Sequence, residues 1–148
     1  MPAGVGGLSQ NCLCALAKRT LMRLPVSSAP RPAELKDSIL ATTRRAIVEI
    51  ARENPALGAF CQVMETDAVA DAQAAERRLA AGVAARPLEG VLIGVKDIID
   101  VAGQPTQAGS LTRKGVAAAA HDAHVVSRLR AAGAIFPAKT NTVEYAFG

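Results

Sequence analysis

Three observations predict an α/β layered fold for this chain of 148 residues. Helical periods run through residues 35–53, from about residue 66 to Gly82, and from Asp122 to Gly133. Short apolar runs lie between and after them, at 58–64, 91–93 and 134–138, the central one β-branched and set between glycines. Glycine and proline punctuate the joints. Alternating elements of this kind argue for a sheet covered by helices on both faces.

The first helix is predicted from Leu35, Ile39, Ala46, Ile47 and Ile50 on one face, with Arg44, Arg45, Glu49 and Arg52 mostly outside. Asn54-Pro55 is expected to stop it, because proline restricts the residue before it and donates no hydrogen bond. Gly58 to Met64 reads as a strand with Phe60 and Gln62 on one side and Cys61 and Val63 on the other. Thr66-Asp67 reads as the cap of a second helix, whose small-residue face is Val69, Ala72, Ala75 and Leu79 and whose stop is Gly82. Val91-Leu92-Ile93, between Gly90 and Gly94, reads as a buried strand that delivers Lys96 and Asp97. Gly103, Pro105 and Gly109 mark a long loop. Asp122 is then the expected N-cap of a third helix with Val125, Leu129 and Ala132 inward and Gly133 at its end, followed by the strand Ala134–Ala138.

Composition bounds the function. Half of the residues are hydrophobic, enough for one domain with a core. Residues 1–33 are an irregular basic extension carrying Lys18, Arg19, Arg23 and Arg31 without an acid, and Ser27-Ser28 reads as part of its linker. Its acid-poor composition suits a transit peptide, an overlong start or a disordered arm, and Cys12 to Leu16 makes a poor secretory core. The remaining 13 basic residues are matched by 13 acidic ones. Balanced charge and 3% aromatic residues offer no phosphate-binding face or stacking platform, so no nucleic-acid partner is expected. No apolar run reaches the roughly 20 residues of a membrane span. Cys12, Cys14 and Cys61 form no disulfide framework, which makes a reducing cytoplasm the default location.

A lysine at the end of a buried strand has two roles open to it. It can snorkel its amine into water, or be desolvated enough to become neutral and act as a base. Asp97 should turn to the opposite face if residues 95–97 are extended, and serve as a hydrogen-bonded loop anchor. Gly133 to Thr140 imitates a phosphate-binding loop, but its interior is apolar strand preceded by a helix. His121-Asp122-x-His124 is too sparse for a metal site, its Asp being needed as a cap, so neither a metal nor a cofactor is expected.

The wider pattern favours the base. Pro87-Leu88-x-Gly90, Lys96-Asp97 and Gly103-x-x-Thr106-x-x-Gly109-Ser110 come first. Asp122-Ala123-x-Val125-Val126-x-Arg128-Leu129-Arg130-Ala131-Ala132-Gly133-Ala134 and Lys139-Thr140-Asn141-x-x-Glu144-x-Ala146-x-Gly148 follow. This ordered series resembles the amidase signature family over about residues 34–148. The resemblance implies the N-terminal, incomplete portion of that family's α/β/α layered fold with a mixed central sheet. It implies hydrolysis of carboxamide C–N bonds by a serine nucleophile, a second serine in a cis peptide and a lysine base. Only Lys96 falls on one of those catalytic positions; Thr140, Asn141, Glu144 and Ser110 match structural ones.

The sequence departs from the family in holding no Gly-Gly-Ser-Ser-Gly-type run. It therefore reads as an N-terminal fragment that retains the base without its serines and is inactive alone. Leu92 replaces a common proline, and Pro137-Ala138 stands where Leu-Gly or Val-Gly is usual. The expected partner is a small-molecule amide bound by the full-length enzyme, with a homodimer compatible. Two alternatives stand beside this reading. One is a non-catalytic interaction module or pseudoenzyme half. The other is the A-type component of a tRNA-dependent amidotransferase, against which Thr142-Val143 counts in place of that family's Met-Asp.

Overall fold

The computed structural model describes residues 38–147. Expectations for residues 1–33, for Leu35, and for Cys12 and Cys14 therefore lie outside the described residues. Six regular elements follow in order: α1 (Ile39–Leu57), β1 (Phe60–Val63), α2 (Glu65–Ala80), β2 (Val95–Lys96), α3 (His124–Ala131) and β3 (Ala138–Thr140).

Helix α1 opens on Ser38, whose hydroxyl accepts from Ala41 N–H at 3.0 Å, and buries Ile39, Thr43 and Ile47 at four-residue spacing. Another N–H of its first turn, that of Leu40, donates to Glu76 Oε1 of α2 at 3.0 Å. The helix does not stop at Asn54-Pro55. Pro55 sits in the last turn, where its fixed φ suits a helix and only one intrahelical bond is lost. Closure falls to Gly58, left-handed at φ 58°, whose N–H returns to Asn54 O at 2.8 Å. The Asn54 amide then brackets β1, donating to Phe60 O and accepting from Phe60 N–H, both at 2.8 Å.

Strand β1 alternates as its sequence indicates, with Phe60 and Gln62 half-buried and Cys61 and Val63 exposed. Helix α2 begins at Glu65, one residue before the expected Thr66-Asp67 cap. Met64 is the cap residue, and no side chain bonds there; Glu65 and Asp67 place negative charge in the first turn instead. Met64 is held by its own N–H, which donates to Pro137 O at 2.8 Å. Ala68, Ala72 and Ala75 are buried against α1, so the alanine face is a close helix–helix seam. Gly82 follows the end of α2 at φ 76°.

The sheet is mixed, in the order β1-β3-β2. β1 runs antiparallel to β3 with Gln62 opposite Lys139, and β2 runs parallel to it with Val95 opposite Lys139 and Lys96 opposite Thr140. The expected strand Val91–Ile93 forms only a bridge, and the regular strand lies just beyond it at Val95–Lys96. Upstream, the same parallel course continues as a bridge between Leu92 and Ile135, with Ile93 N–H to Ile135 O and Ile135 N–H to Val91 O, both at 2.9 Å. Residues Val91 to Ile93 are half-buried rather than buried.

Alternation along Ala134-Ile135-Phe136 sends side chains into two separate clusters. Ile135 joins Ile39, Ile47 and the α2 alanines, whereas Ala134 and Phe136 join Met64, Val95, Val101 and Val126. Both faces of this extended layer are thus covered. In α3 the inward residue is Val126, 1% exposed, and Val125 is half exposed, one position away from expectation. Asp122 does not cap α3. Its carboxylate accepts from Ala102 N–H at 2.8 Å and Arg130 Nε at 2.9 Å, which ties the preceding loop to the helix.

Gly133 closes α3 at φ 103°, and a Cβ there would lie 2.8 Å from Glu89 Cα and 2.9 Å from Glu89 N. Gly82 is also left-handed, but a Cβ there would meet nothing within 4 Å. Gly133→Ala should therefore destabilise by about 2–3 kcal/mol through strain and overpacking together, and Gly82→Ala by only about 1 kcal/mol through strain. Paired urea melts check this; equal losses would contradict it.

Among the described residues, no further strand covers the outward edges of β1 and β2, and Leu111 and Phe147 are each almost fully exposed. Open edges and bare apolar side chains predict concentration-dependent self-association of the 148-residue chain. Sedimentation velocity should show it; a monomer across the whole concentration range would contradict it.

Candidate active site

The chemistry-bearing residues converge where β2 leaves the sheet. Lys96 is the last residue of β2, and its carbonyl accepts from Ile99 N–H at 2.9 Å in the turn that follows. Asp97 N–H donates to Thr140 O at 3.0 Å, and Asp97 O accepts from Ala108 N–H at 2.9 Å. The backbone that follows the Lys96 side chain is thereby pinned, and the β3 pairing of Val95 with Lys139 holds the side before it.

Side-chain alternation then separates three neighbours. Val95 and Asp97 are buried, at 5% and 3% exposure, while Lys96 is exposed. Burial was the expected source of desolvation for Lys96, and within the described residues its side chain stays open. β2 is an edge strand, and Gly94, two residues earlier on the same face, adds no side chain to cover it. A Cβ at Gly94 would come within 2.8 Å of Thr140 Cγ2, so any side chain there would have to displace that methyl.

Asp97 turns the other way, toward Lys139. Lys139 Nζ lies 2.8 Å from Asp97 Oδ1, 2.9 Å from Pro105 O and 2.9 Å from Thr106 Oγ1. Those three acceptors match the three protons of an ammonium. Lys139 is 0% exposed. The imitation of a phosphate loop at Gly133–Thr140 thus ends in a lysine with no proton left for a phosphate. Lys139 is the residue that sequence reasoning passed over. Its signal was a lysine directly after the five-residue apolar run Ala134–Ala138, a position that calls for a buried partner.

The glycine-punctuated loop closes over this corner. Gly109 is left-handed, and a Cβ on it would run into the Thr142 carbonyl. Ser110, 5% exposed, donates to Glu144 Oε1 at 2.6 Å and sits 2.7 Å from Thr112 Oγ1. Thr112 Oγ1 in turn lies 2.9 Å from the Tyr145 hydroxyl. Ser110 is therefore a buried strut between two segments, not an accessible nucleophile. Hydrogen bonds from Thr112 and then Ser110 pull the Tyr145 phenol below its ordinary range. Ile98, Asp100, Thr106, Ala108, Arg113 and Tyr145 line a cleft of about 330 Å³ beside this loop.

Cys61, beside this corner, and Glu89, at the Pro87–Gly90 turn, are also perturbed. Although Cys61 is exposed as a residue, partial desolvation of its sulfur, followed by the Asp97 carboxylate, pushes the thiol up, and Sγ lies 3.6 Å from Lys139 O. Glu89, 1% exposed, receives Arg86 through Nε at 2.8 Å and Nη2 at 2.7 Å, and this two-pronged hydrogen bond holds its carboxyl below the usual range. The pair braces the Pro87–Gly90 turn against Gly133. His121, Asp122 and His124 form no cluster: Asp122 is taken by Ala102 and Arg130, and both histidines are exposed.

This arrangement belongs to a known family. The Amidase family model matches residues 41–148, and the chain is a member of that family. AmiA2 of Mycobacterium tuberculosis, an amidase by name, is 50% identical over 101 residues, covering 68% of this chain and 20% of that protein. The A-type component of the glutamyl-tRNA(Gln) amidotransferase of Acidothermus cellulolyticus is 36% identical over 133 residues, covering 90% of this chain and 25% of that one. Among solved structures, an inhibitor-bound vestigial protein complex that reveals the origins of an s-triazine catabolic enzyme superposes with a TM-score of 0.74. It is 33% identical and covers 76% of this chain and 25% of its own. The chain thus spans between a fifth and a quarter of the length of these relatives. No described helix is long and apolar enough to cross a membrane.

Glu89 generates a pH prediction. Its folded pKa is depressed, so its stabilising contribution is complete above the unfolded value of 4.5 and is lost as pH falls through the lower folded value. Chemical melts between pH 7 and 3 should show stability falling below about pH 4.5, with a shallower fall in Glu89→Gln. An identical slope in the variant would remove Glu89 as the cause.

Proposed function

We propose that this chain supplies the lysine of an amidase-type hydrolase that cleaves carboxamide C–N bonds by a Ser-cisSer-Lys mechanism. One observation supports it above the others. Lys96 is the exposed residue between two buried neighbours at a pinned strand end, so its backbone is fixed and its stem leaves the sheet on the open face. Proton acceptance requires a neutral amine, and desolvation favours that form. We assign the desolvation to a serine-bearing segment packed over Lys96; residues 1–148 contain no such glycine- and serine-rich run.

In this mechanism the nucleophilic serine oxygen attacks the amide carbon. Its proton passes to the cis serine, whose own proton moves to Lys96 Nζ. Backbone N–H groups hold the oxyanion. Collapse breaks the C–N bond, and the proton returns through the cis serine to the departing nitrogen. Water then attacks the ester by the same relay, releasing a carboxylic acid and regenerating both serines. No metal or cofactor takes part.

The amidotransferase component is a second reading, supported by the 36% identity to that protein. Thr142-Val143 in place of Met-Asp supports the free-standing amidase.

The test grafts residues 41–148 into the corresponding segment of an active amidase relative and assays a panel of primary carboxamides. The graft should hydrolyse at least one of them, and the 148-residue chain alone should show no turnover above background. Lys96→Met, which keeps the stem without the amine, should lose at least about 10²-fold in kcat with its melt unchanged. Lys96→Arg should do no better, because guanidinium stays protonated. Near-parental activity in either folded variant would return Lys96 to a solvated surface lysine.

A further inference from the structure

We propose that Lys139 is a positioning residue for Lys96, acting through Asp97 and the Pro105-Thr106 corner. The inference rests on the reading of Lys96 as the base. The Lys139 ammonium is bonded to Asp97, Pro105 and Thr106 rather than to Lys96, and so holds what holds Lys96.

The argument begins with saturation. A buried ammonium is tolerable only when its charge is paired and its protons are used, and Lys139 meets both conditions with three acceptors. Those acceptors come from two stretches of chain. Asp97 is the residue bonded to Lys96, and Pro105-Thr106 is the corner of the loop that returns over it. The ammonium therefore fixes the loop relative to the strand end from a point on β3, the central strand.

Register adds a second constraint. Lys139 is the parallel partner of Val95, and Thr140 that of Lys96. The Asp97 backbone is gripped through its N–H by Thr140 O and through its carbonyl by Ala108 N–H, within the loop that Lys139 tethers. Without the ammonium, the Asp97 carboxylate becomes a lone buried charge that must turn toward water. The peptide carrying Lys96 turns with it. The helical layer packs through its own apolar cluster of Ile39, Ile47, Ala68, Ala72, Ala75 and Ile135 and should survive this change.

The test uses Lys139→Met and the double variant Asp97→Asn/Lys139→Met. The double leaves no lone buried charge and is the one expected to fold in every case. Hydrogen exchange is measured on the 148-residue chain. In both variants, each of which loses the tether to Pro105 O and Thr106 Oγ1, the amides of position 97 and Ala108 should exchange at least about 10-fold faster after correction for intrinsic rates, with the α1 and α2 amides within about 2-fold of the parent. Parental protection at both amides would overturn the proposal, and so would an equal loss across the helices, which would make Lys139 a general stabiliser.

The second measurement is kinetic, in the grafted enzyme. A displaced base slows proton transfer, so kcat should fall about 10-fold or more with KM within about 2-fold. A rise in KM alone would overturn the positioning role. Lys96→Met in the same graft separates the two ideas. Retained activity there would refute the base, while the exchange result would still report whether Lys139 holds the strand end.

Discussion

The buried pair between Lys139 and Asp97 is the constraint from which the rest of the site follows. Taking two opposite charges out of water costs several kcal/mol per ion before their attraction is counted. Such a pair persists only where geometry satisfies every remaining proton and lone pair. Here that geometry recruits Pro105 O and Thr106 Oγ1, so the loop cannot drift without exposing an unmet ammonium. The pair also decides which way the strand end faces. Because Asp97 is committed inward, alternation turns Lys96 outward.

Backbone permissiveness at a few positions makes this corner possible. Gly94 leaves room for Thr140 beside Lys96, and Gly109 lets the loop pass the Thr142 carbonyl. Gly133 lets the end of α3 sit against Glu89, which Arg86 braces. Glycine contributes nothing to chemistry at these places; it lets chains approach where any side chain would hold them apart. The alanine seam between α1 and α2 applies the same logic to helices, and it builds a layer on which the sheet can rest.

Hydrogen-bonded side chains take over where regular structure ends. Ser110, Thr112, Glu144 and Tyr145 form a polar strut between the loop and the segment after β3. Asp122 and Arg130 do the same for the loop before α3, and Arg130 reaches on to Asp71 at 3.0 Å and stacks over Phe136 at 5.1 Å. These struts engage the polar side chains of several family-matching residues, Ser110, Glu144, Asp122 and Arg130 among them. Their protons and lone pairs are already taken within the fold. Lys96 differs in having its backbone pinned and its side chain exposed.

The sequence by itself determined whatever depends on near neighbours. The faces of α1 and α2, the alternation of β1, the stops at Gly82 and Gly133 and the order of family motifs all follow from local periods and local backbone sterics. Tertiary structure decided the rest, because it depends on partners that spacing does not reveal. Pro55 is absorbed because Gly58 and Asn54 close the helix beyond it. Asp122 leaves its cap for Ala102 and Arg130, and Val126 replaces Val125 once α3 settles on its cluster. Lys139 finds its carbonyl partner 34 residues away, a distance at which no local pattern speaks. Sequence could place Lys96 beside Asp97 on opposite faces of a strand; only the assembled sheet could show which of the two lysines is buried, and why it is Lys139.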